Sequence, residues 1–227
     1  MNKDDLTLHA EESLALLPPW RTERYHRMRI ERGKLEELAA GLLLRYALKD
    51  AAGIDLMTAE ITQNPHGKPV LSEAQIHFNL SHSGGYIAAV VADCPVGIDV
   101  ETKSDKDGGV AKRFFSEEEQ QVICTAEDPE LAFRRIWTRK EAYVKCTGTG
   151  IDGAIDKIPG LAERFGDYTI TTLREESAYT LSLVVMNHRP IDDSLITIED
   201  VTQIAGRSCG ILRRRRLRCA CHACSSE

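Results

Sequence analysis

Gly97-Ile98-Asp99-Val100-Glu101 reads as a strand with two chemically opposite faces. Successive side chains of a strand alternate, so Asp99 and Glu101 point one way and Ile98 and Val100 the other. The apolar pair can anchor a core while the two carboxylates stand side by side. Like charges that close raise each other's pKa unless a cation lies between them. A hard divalent ion with oxygen ligands, Mg²⁺ first among them, relieves that repulsion. Taken alone, D-x-E favours an acidic, solvent-facing edge strand.

Working outward, residues 76–80, 86–92 and 96–101 are strand candidates, with Gly84-Gly85 as a turn between the first two. Upstream, Leu35, Leu38, Leu42 and Leu43 give one apolar face to a helix over about 31–49. Between them lies a short β-like run ending near Thr62 and the turn-rich patch Asn64-Pro65-His66-Gly67-Lys68-Pro69. Downstream, polar residues 102–109 could join two halves. Ser116 and Glu119 form a capping-box pattern opening a helix to about Cys124. Asp128-Pro129 reads as N-cap and first position of a longer helix to about Cys146, stopped by Gly148 and Gly150. Residues 168–173, 179–186 and 195–201 then read as strands. Without regular βαβ alternation, the expected class is α+β: two similar lobes, each a helix on a small, mostly antiparallel sheet. The expected division is 1–104, 105–205 and a tail at 206–227.

Three further stretches carry chemistry. In Trp137-Thr138-Arg139-Lys140-Glu141-Ala142-Tyr143-Val144-Lys145, helical spacing puts Trp137, Glu141 and Lys145 on one stripe. One acid there could bind metal while cations neutralise phosphate oxygens; the plainer alternative is a surface Glu–Lys pair. In Asn79-Leu80-Ser81-His82-Ser83-Gly84-Gly85, hydroxyls, an imidazole and freed backbone N–H groups could cradle a phosphate. Ser81 and His82 do not make a hydrolase dyad, because neighbours on a strand face opposite sides. Arg21, Arg24, Arg27, Arg29, Arg32 and Lys34 concentrate positive charge, and Arg suits phosphate through its planar fork.

Composition narrows the classes. With 42% apolar and 28% charged residues over 227 positions, the chain is an ordinary globular protein rather than a disordered or fibrous one. No apolar run approaches the roughly 20 residues that cross a membrane. The acidic start MNKDDLTLHAEESL is unlike a secretory signal, and seven cysteines, three scattered and four crowded at the C-terminus, do not suggest a disulfide framework. A cytoplasmic location is expected. The tail carries six Arg against Glu227, placing it at +5 and residues 1–205 at −11 within a total of −6. That body disfavours general nucleic-acid binding. Cys219, Cys221, His222 and Cys224 form a tight cluster without the second half of a structural zinc site, so a flexible basic tail is expected.

The order N-P-H-G-K-P, F-N-L-S-H-S, G-I-D-V-E, F-F-S-E-E-E and W-T-R-K-E-A-Y-V-K closely resembles the 4′-phosphopantetheinyl transferases of the Sfp type. The resemblance covers residues 14 to 203. It implies the pseudo-two-fold fold of that family and transfer of 4′-phosphopantetheine from coenzyme A to a serine of a carrier protein, releasing adenosine 3′,5′-bisphosphate. It implies Mg²⁺ on Asp99, Glu101 and Glu141. It assigns coenzyme A binding to Arg21, Arg24, His66, Gly67, Lys68, Pro69, Ser81, His82, Lys140 and Lys145. Glu141 and Lys145 take the catalytic roles.

A carboxylate on Mg²⁺ loses basicity, so a metal-bound water relayed by Glu141 stands beside Glu141 as the base. The implied partners are acyl, peptidyl or aryl carrier proteins of fatty acid, polyketide or non-ribosomal peptide synthesis, met by a monomer without nucleic acid or membrane. Two rival functions are an Mg²⁺-dependent pyrophosphate hydrolase and a non-catalytic coenzyme A or carrier-binding protein. Retention of all three acids with Lys145 disfavours the second.

Overall fold

The computed structural model describes residues 10–72, 75–103, 107–150, 155–187 and 197–200, with backbone alone at 107, 108 and 197–200. The tail at 206–227 and its cysteine cluster lie outside the described residues. A helical turn at 10–14 leads into α1 (Pro19–Arg27) and α2 (Glu31–Ala52). Pro19 opens α1, where its missing N–H costs nothing. Gly53, at φ 70°, closes α2 in the left-handed conformation. The buried face of α2 passes through Leu38, Leu43, Leu44 and Leu48, while Leu35 and Leu42 are half-buried. The apolar stripe is thus rotated from its expected line. It packs on Ile87, Ala89 and Val91 of β4 (Tyr86–Ala92). Each fully buried Leu contributes about 1.5–3 kcal/mol.

All strand pairing is antiparallel. β1 (Ile61–Gln63) pairs with β2 (Pro69–Leu71), and β3 (His77–Ser83) with β4. The β3–β4 turn is Gly84-Gly85 at φ 58° and 95°, the positive angles that a two-residue hairpin requires. β5 (Val96–Thr102) pairs with β8 (Tyr179–Met186), then β7 (Tyr168–Glu175) and the short β6 (Arg164–Phe165). β9 (Thr197–Asp200) returns to pair with β4. The sheets therefore do not divide at residue 104: β5 precedes it yet joins β8, and β9 follows it yet joins β4.

The joining stretch expected at 102–109 already contains the start of a helix, α3 (Asp107–Phe114). Then come α4 (Glu117–Thr125), α5 (Pro129–Thr147) and a 3₁₀ turn at Ile155–Lys157. The capping box at Ser116 and Glu119 forms as read, and the Asp128 side chain accepts from Leu131 N–H. β3 runs on to Ser83 instead of ending near Leu80. The Ser-His stretch is thus strand, facing Ala88 and Ile87 of β4.

α5 lies across β5 and β8, and Gly97 fixes how closely. A Cβ at that position would overlap the Ala142 carbonyl oxygen and the Cys146 N. The glycine of the G-I-D-V-E stretch is there for space, and it brings the helix carrying Glu141 and Lys145 down onto the strand carrying Asp99 and Glu101.

Candidate active site

β3 and β5 run alongside each other but are stitched by side chains. Asn79 Oδ1 accepts from Ile98 N–H at 2.9 Å, Ser81 Oγ from Val100 N–H at 3.2 Å, and Ser83 Oγ from Thr102 N–H at 3.2 Å. The two serine hydroxyls then donate onward: Ser81 to Asp99 Oδ1 at 2.8 Å, and Ser83 to Glu101 Oε2 at 2.7 Å. Each serine thus satisfies a buried backbone donor and aims a carboxylate.

From α5, Lys145 Nζ approaches Asp99 Oδ1 at 2.5 Å and Ser81 Oγ at 2.9 Å. Glu141 is 8% exposed and Asp99 3%. Burial pushes the carboxyls of Asp99, Glu101 and Glu141 above their usual range, and for the two glutamates the Asp99 charge adds to it. Glu141 rises from 4.5 to about 7, with Lys145 opposing. Three acids facing one ammonium form an anionic site short of cation.

Asp99 Oδ2 is buried with no hydrogen-bond partner. That orphaned oxygen and the all-carboxylate donor set fit a hard divalent cation. As the side chains stand, however, no group of three His, Cys, Asp or Glu among the described residues is gathered closely enough to hold a metal. Lys145 occupies the flank of Asp99 that neutralisation requires.

Beside the acids opens a cavity of about 210 Å³ lined by Trp20, Arg21, Arg24, Ser81, His82 and Lys145, among others. Glu37, itself buried, pairs with Arg21 and, at 3.1 Å, with Arg24. Arg24 remains 57% exposed, and His82 Nδ1 sits 3.3 Å from Glu36 Oε2. Six of the expected residues (Arg21, Arg24, Pro69, Ser81, His82 and Lys145) therefore line one cavity.

The rest of the N-P-H-G-K-P turn docks elsewhere. Asn64 Oδ1 accepts from the N–H groups of His66 and Lys68 while its amide donates to Gly148 O, just past α5. Lys68 Nζ donates to the Val96 and Cys146 carbonyls, and burial lowers its pKa. His66 and Gly67 are exposed beside it, and Pro69, which begins β2, lines the cavity.

Lys140 is not brought to the site. It is fully buried, pairs with Glu119 at 2.9 Å, and donates to the Phe114 and Ile155 carbonyls. One residue away from Glu141 on a helix, it projects about 100° around the axis, into the α3–α4 side.

Glu36 and Glu37 border the site and are not singled out from sequence, while Asn79 and Ser83 are read there only as part of the stretch 79–85 and not for their rungs to β5. For Asn79 and Ser83 a signal exists: with Ser81 they are polar at every second position of a strand, which puts all three on one face.

Comparison with known proteins agrees with the geometry. Residues 95–198 match the 4′-phosphopantetheinyl transferase superfamily, and residues 7–94 match its N-terminal family, "4′-phosphopantetheinyl transferase, N-terminal". 4′-Phosphopantetheinyl transferase psf-1 of Bacillus pumilus is 34% identical over 59% of this chain and 58% of its own. Sfp of Bacillus subtilis strain 168 is 25% identical over 70% of this chain and 73% of its own. AcpT of Salmonella typhimurium is 44% identical over 39% of this chain and 50% of its own. The chain spans about half the length of the first curated relatives it matches. The two family matches adjoin one residue before the strand that carries the acids, and between them they take in every residue gathered at the site: the chain belongs to the 4′-phosphopantetheinyl transferases, of the Sfp type.

Proposed function

We propose that the protein transfers 4′-phosphopantetheine from coenzyme A to a serine of an apo carrier protein. The observation that carries this is the convergence of Asp99, Glu101, Glu141 and Lys145 beside a cavity walled by Arg21, Arg24 and His82. Arginines and an imidazole suit the phosphates of coenzyme A, and the acids suit a divalent ion such as Mg²⁺. Held by Asp99, Glu101 and Glu141, Mg²⁺ would draw charge from the pyrophosphate and ease departure of the leaving phosphate.

The chain's own groups do the rest. Arg24 and His82 grip the nucleotide's phosphates, and Lys145 balances charge gathering on the oxygens of the transferred phosphate. The carrier serine oxygen bonds to the β-phosphorus as the bond to the bridging oxygen breaks. Adenosine 3′,5′-bisphosphate leaves with that oxygen. Glu141 is the candidate to take the serine proton, though with a basicity lower than in the metal-free site once a cation is held there. Lys68 and the exposed His66-Gly67 turn would border the adenine end.

The reading extends to acyl, peptidyl or aryl carriers as partners and to a cytoplasmic monomer. It is supported by the fact that one chain supplies both acids and phosphate-binding cations. Among the described residues no helix is long and apolar enough to cross a membrane.

The test is intact mass of an apo carrier protein after incubation with this protein, coenzyme A and Mg²⁺. A gain of one phosphopantetheine, absent with EDTA and with Glu141→Ala, is expected. Cleavage of coenzyme A without any gain on acyl or peptidyl carriers would replace transfer by hydrolysis.

A further inference from the structure

Ser83 sits outside the cavity wall, yet its hydroxyl makes three connections at once. It donates to Glu101 Oε2 at 2.7 Å, accepts from Thr102 N–H at 3.2 Å, and lies 3.3 Å from Thr102 Oγ1. The residue after it leaves no slack. A Cβ at Gly84 would overlap the Thr102 side chain, and its φ of 58° suits glycine. Turn, serine and the end of β5 are therefore one locked unit.

We propose that Ser83 is a positioning residue that fixes the Glu101 carboxylate for cation binding. This rests on the reading of Asp99, Glu101 and Glu141 as the cation site. Glu101 is the outermost of the two β5 acids, two residues beyond Asp99 and half-buried where Asp99 is buried. A flexible glutamate there would sweep many rotamers. The hydroxyl of Ser83 holds Oε2 from the β3 side, which restricts the carboxylate and leaves Oε1 for a cation. Partners that orient a ligand in this way commonly shift metal affinity by about 10- to 100-fold.

Asn79 supplies the control. Its side chain forms the same kind of rung, to Ile98 N–H, but it donates to no carboxylate among the hydrogen bonds to β5. Removing either side chain orphans one β5 donor; only Ser83 also frees an acid.

The experiment measures Mn²⁺ binding to the full chain without coenzyme A, since Asn79 borders the cavity, by calorimetry and by the paramagnetic signal of free Mn²⁺. Ser83→Ala is expected to weaken binding about 10-fold or more, and Ser83→Thr, which keeps the hydroxyl, to stay within about threefold of wild type. Asn79→Ala is expected to lose thermal stability with Mn²⁺ affinity within about threefold. Should Ser83→Ala not fold, Ser83→Cys, near in shape with a feeble donor, replaces it under the same expectation. Equal affinity in wild type and the donor-less variant, or an equal loss in Asn79→Ala, overturns the proposal. A wild type that binds no Mn²⁺ overturns the cation-site reading itself, and is seen before any variant is compared.

Discussion

Lys145 Nζ lies 2.5 Å from Asp99 Oδ1 while the other oxygen of that carboxylate is buried without a partner. Among the described residues the Lys145 ammonium is the cation paired with Asp99, so removing it leaves a buried charge unbalanced. Breaking a fully buried pair costs about 3–5 kcal/mol, and Lys145 is 29% exposed, so about 2 kcal/mol is expected for Lys145→Met. Urea unfolding in EDTA measures it. The loss should shrink when Mg²⁺ is added, because a divalent ion replaces the missing charge. A loss that is the same with and without Mg²⁺ would separate Lys145 from the cation site.

Glu141 gives the pH dependence. Its folded pKa of about 7 stands above the ordinary 4.5. Between those values the folded chain holds a proton that the unfolded chain has released, so stability falls as pH climbs through that window. The penalty is absent below 4.5 and complete above about 7. A shift of this size corresponds to about 3 kcal/mol. Glu141→Gln should therefore raise the stability of metal-free protein at pH 8 and leave it unchanged at pH 4, while abolishing transfer. Denaturant midpoints at both pH values decide it.

Which parts of this were legible follows from what holds them. α4 and α5 announce themselves through Ser116, Glu119, Asp128 and Pro129, because capping is local chemistry. The facing of Asp99 and Glu101 follows from alternation alone. α1 is hidden because its inward residue is Arg21, buried against Glu37, which an apolar count scores as exposed. The extent of β3 is hidden similarly: Ser81 is polar yet buried, because it pairs with β5 and Asp99. Lys140 and Lys145 flank the same glutamate in sequence; helical spacing already sets Lys145 on its stripe and Lys140 about 100° away, but the buried Glu119 that receives Lys140 is not legible there.

Gly97→Ala tests the seating of α5. The added Cβ would overlap backbone atoms of Ala142 and Cys146, which cannot rotate aside as a side-chain tip can. The helix must shift, at a cost of about 3 kcal/mol, the upper part of the usual overpacking range. Glu141 and Lys145 move with it, so kcat should fall at least about 10-fold even where the protein stays folded. Thermal melting and transfer kinetics below the melting range check this. Near-wild-type kcat would mean that the acids tolerate a displaced helix.

Lys140 separates a structural cation from a phosphate-binding one. Its ammonium meets Glu119 at 2.9 Å and two carbonyls with no exposed surface, and Glu119 Oε1 in turn accepts from Gly160 N–H at 2.6 Å. Lys140→Met leaves Glu119 charged and buried, and should destabilise the fold by about 3–5 kcal/mol. Lys140→Met with Glu119→Gln should recover much of that, since the amide is neutral and can still accept from Gly160. In the folded double variant the KM for coenzyme A should stay within about twofold of wild type, because neither side chain faces the cavity. A KM raised 10-fold or more in that variant would return Lys140 to the phosphate-binding set.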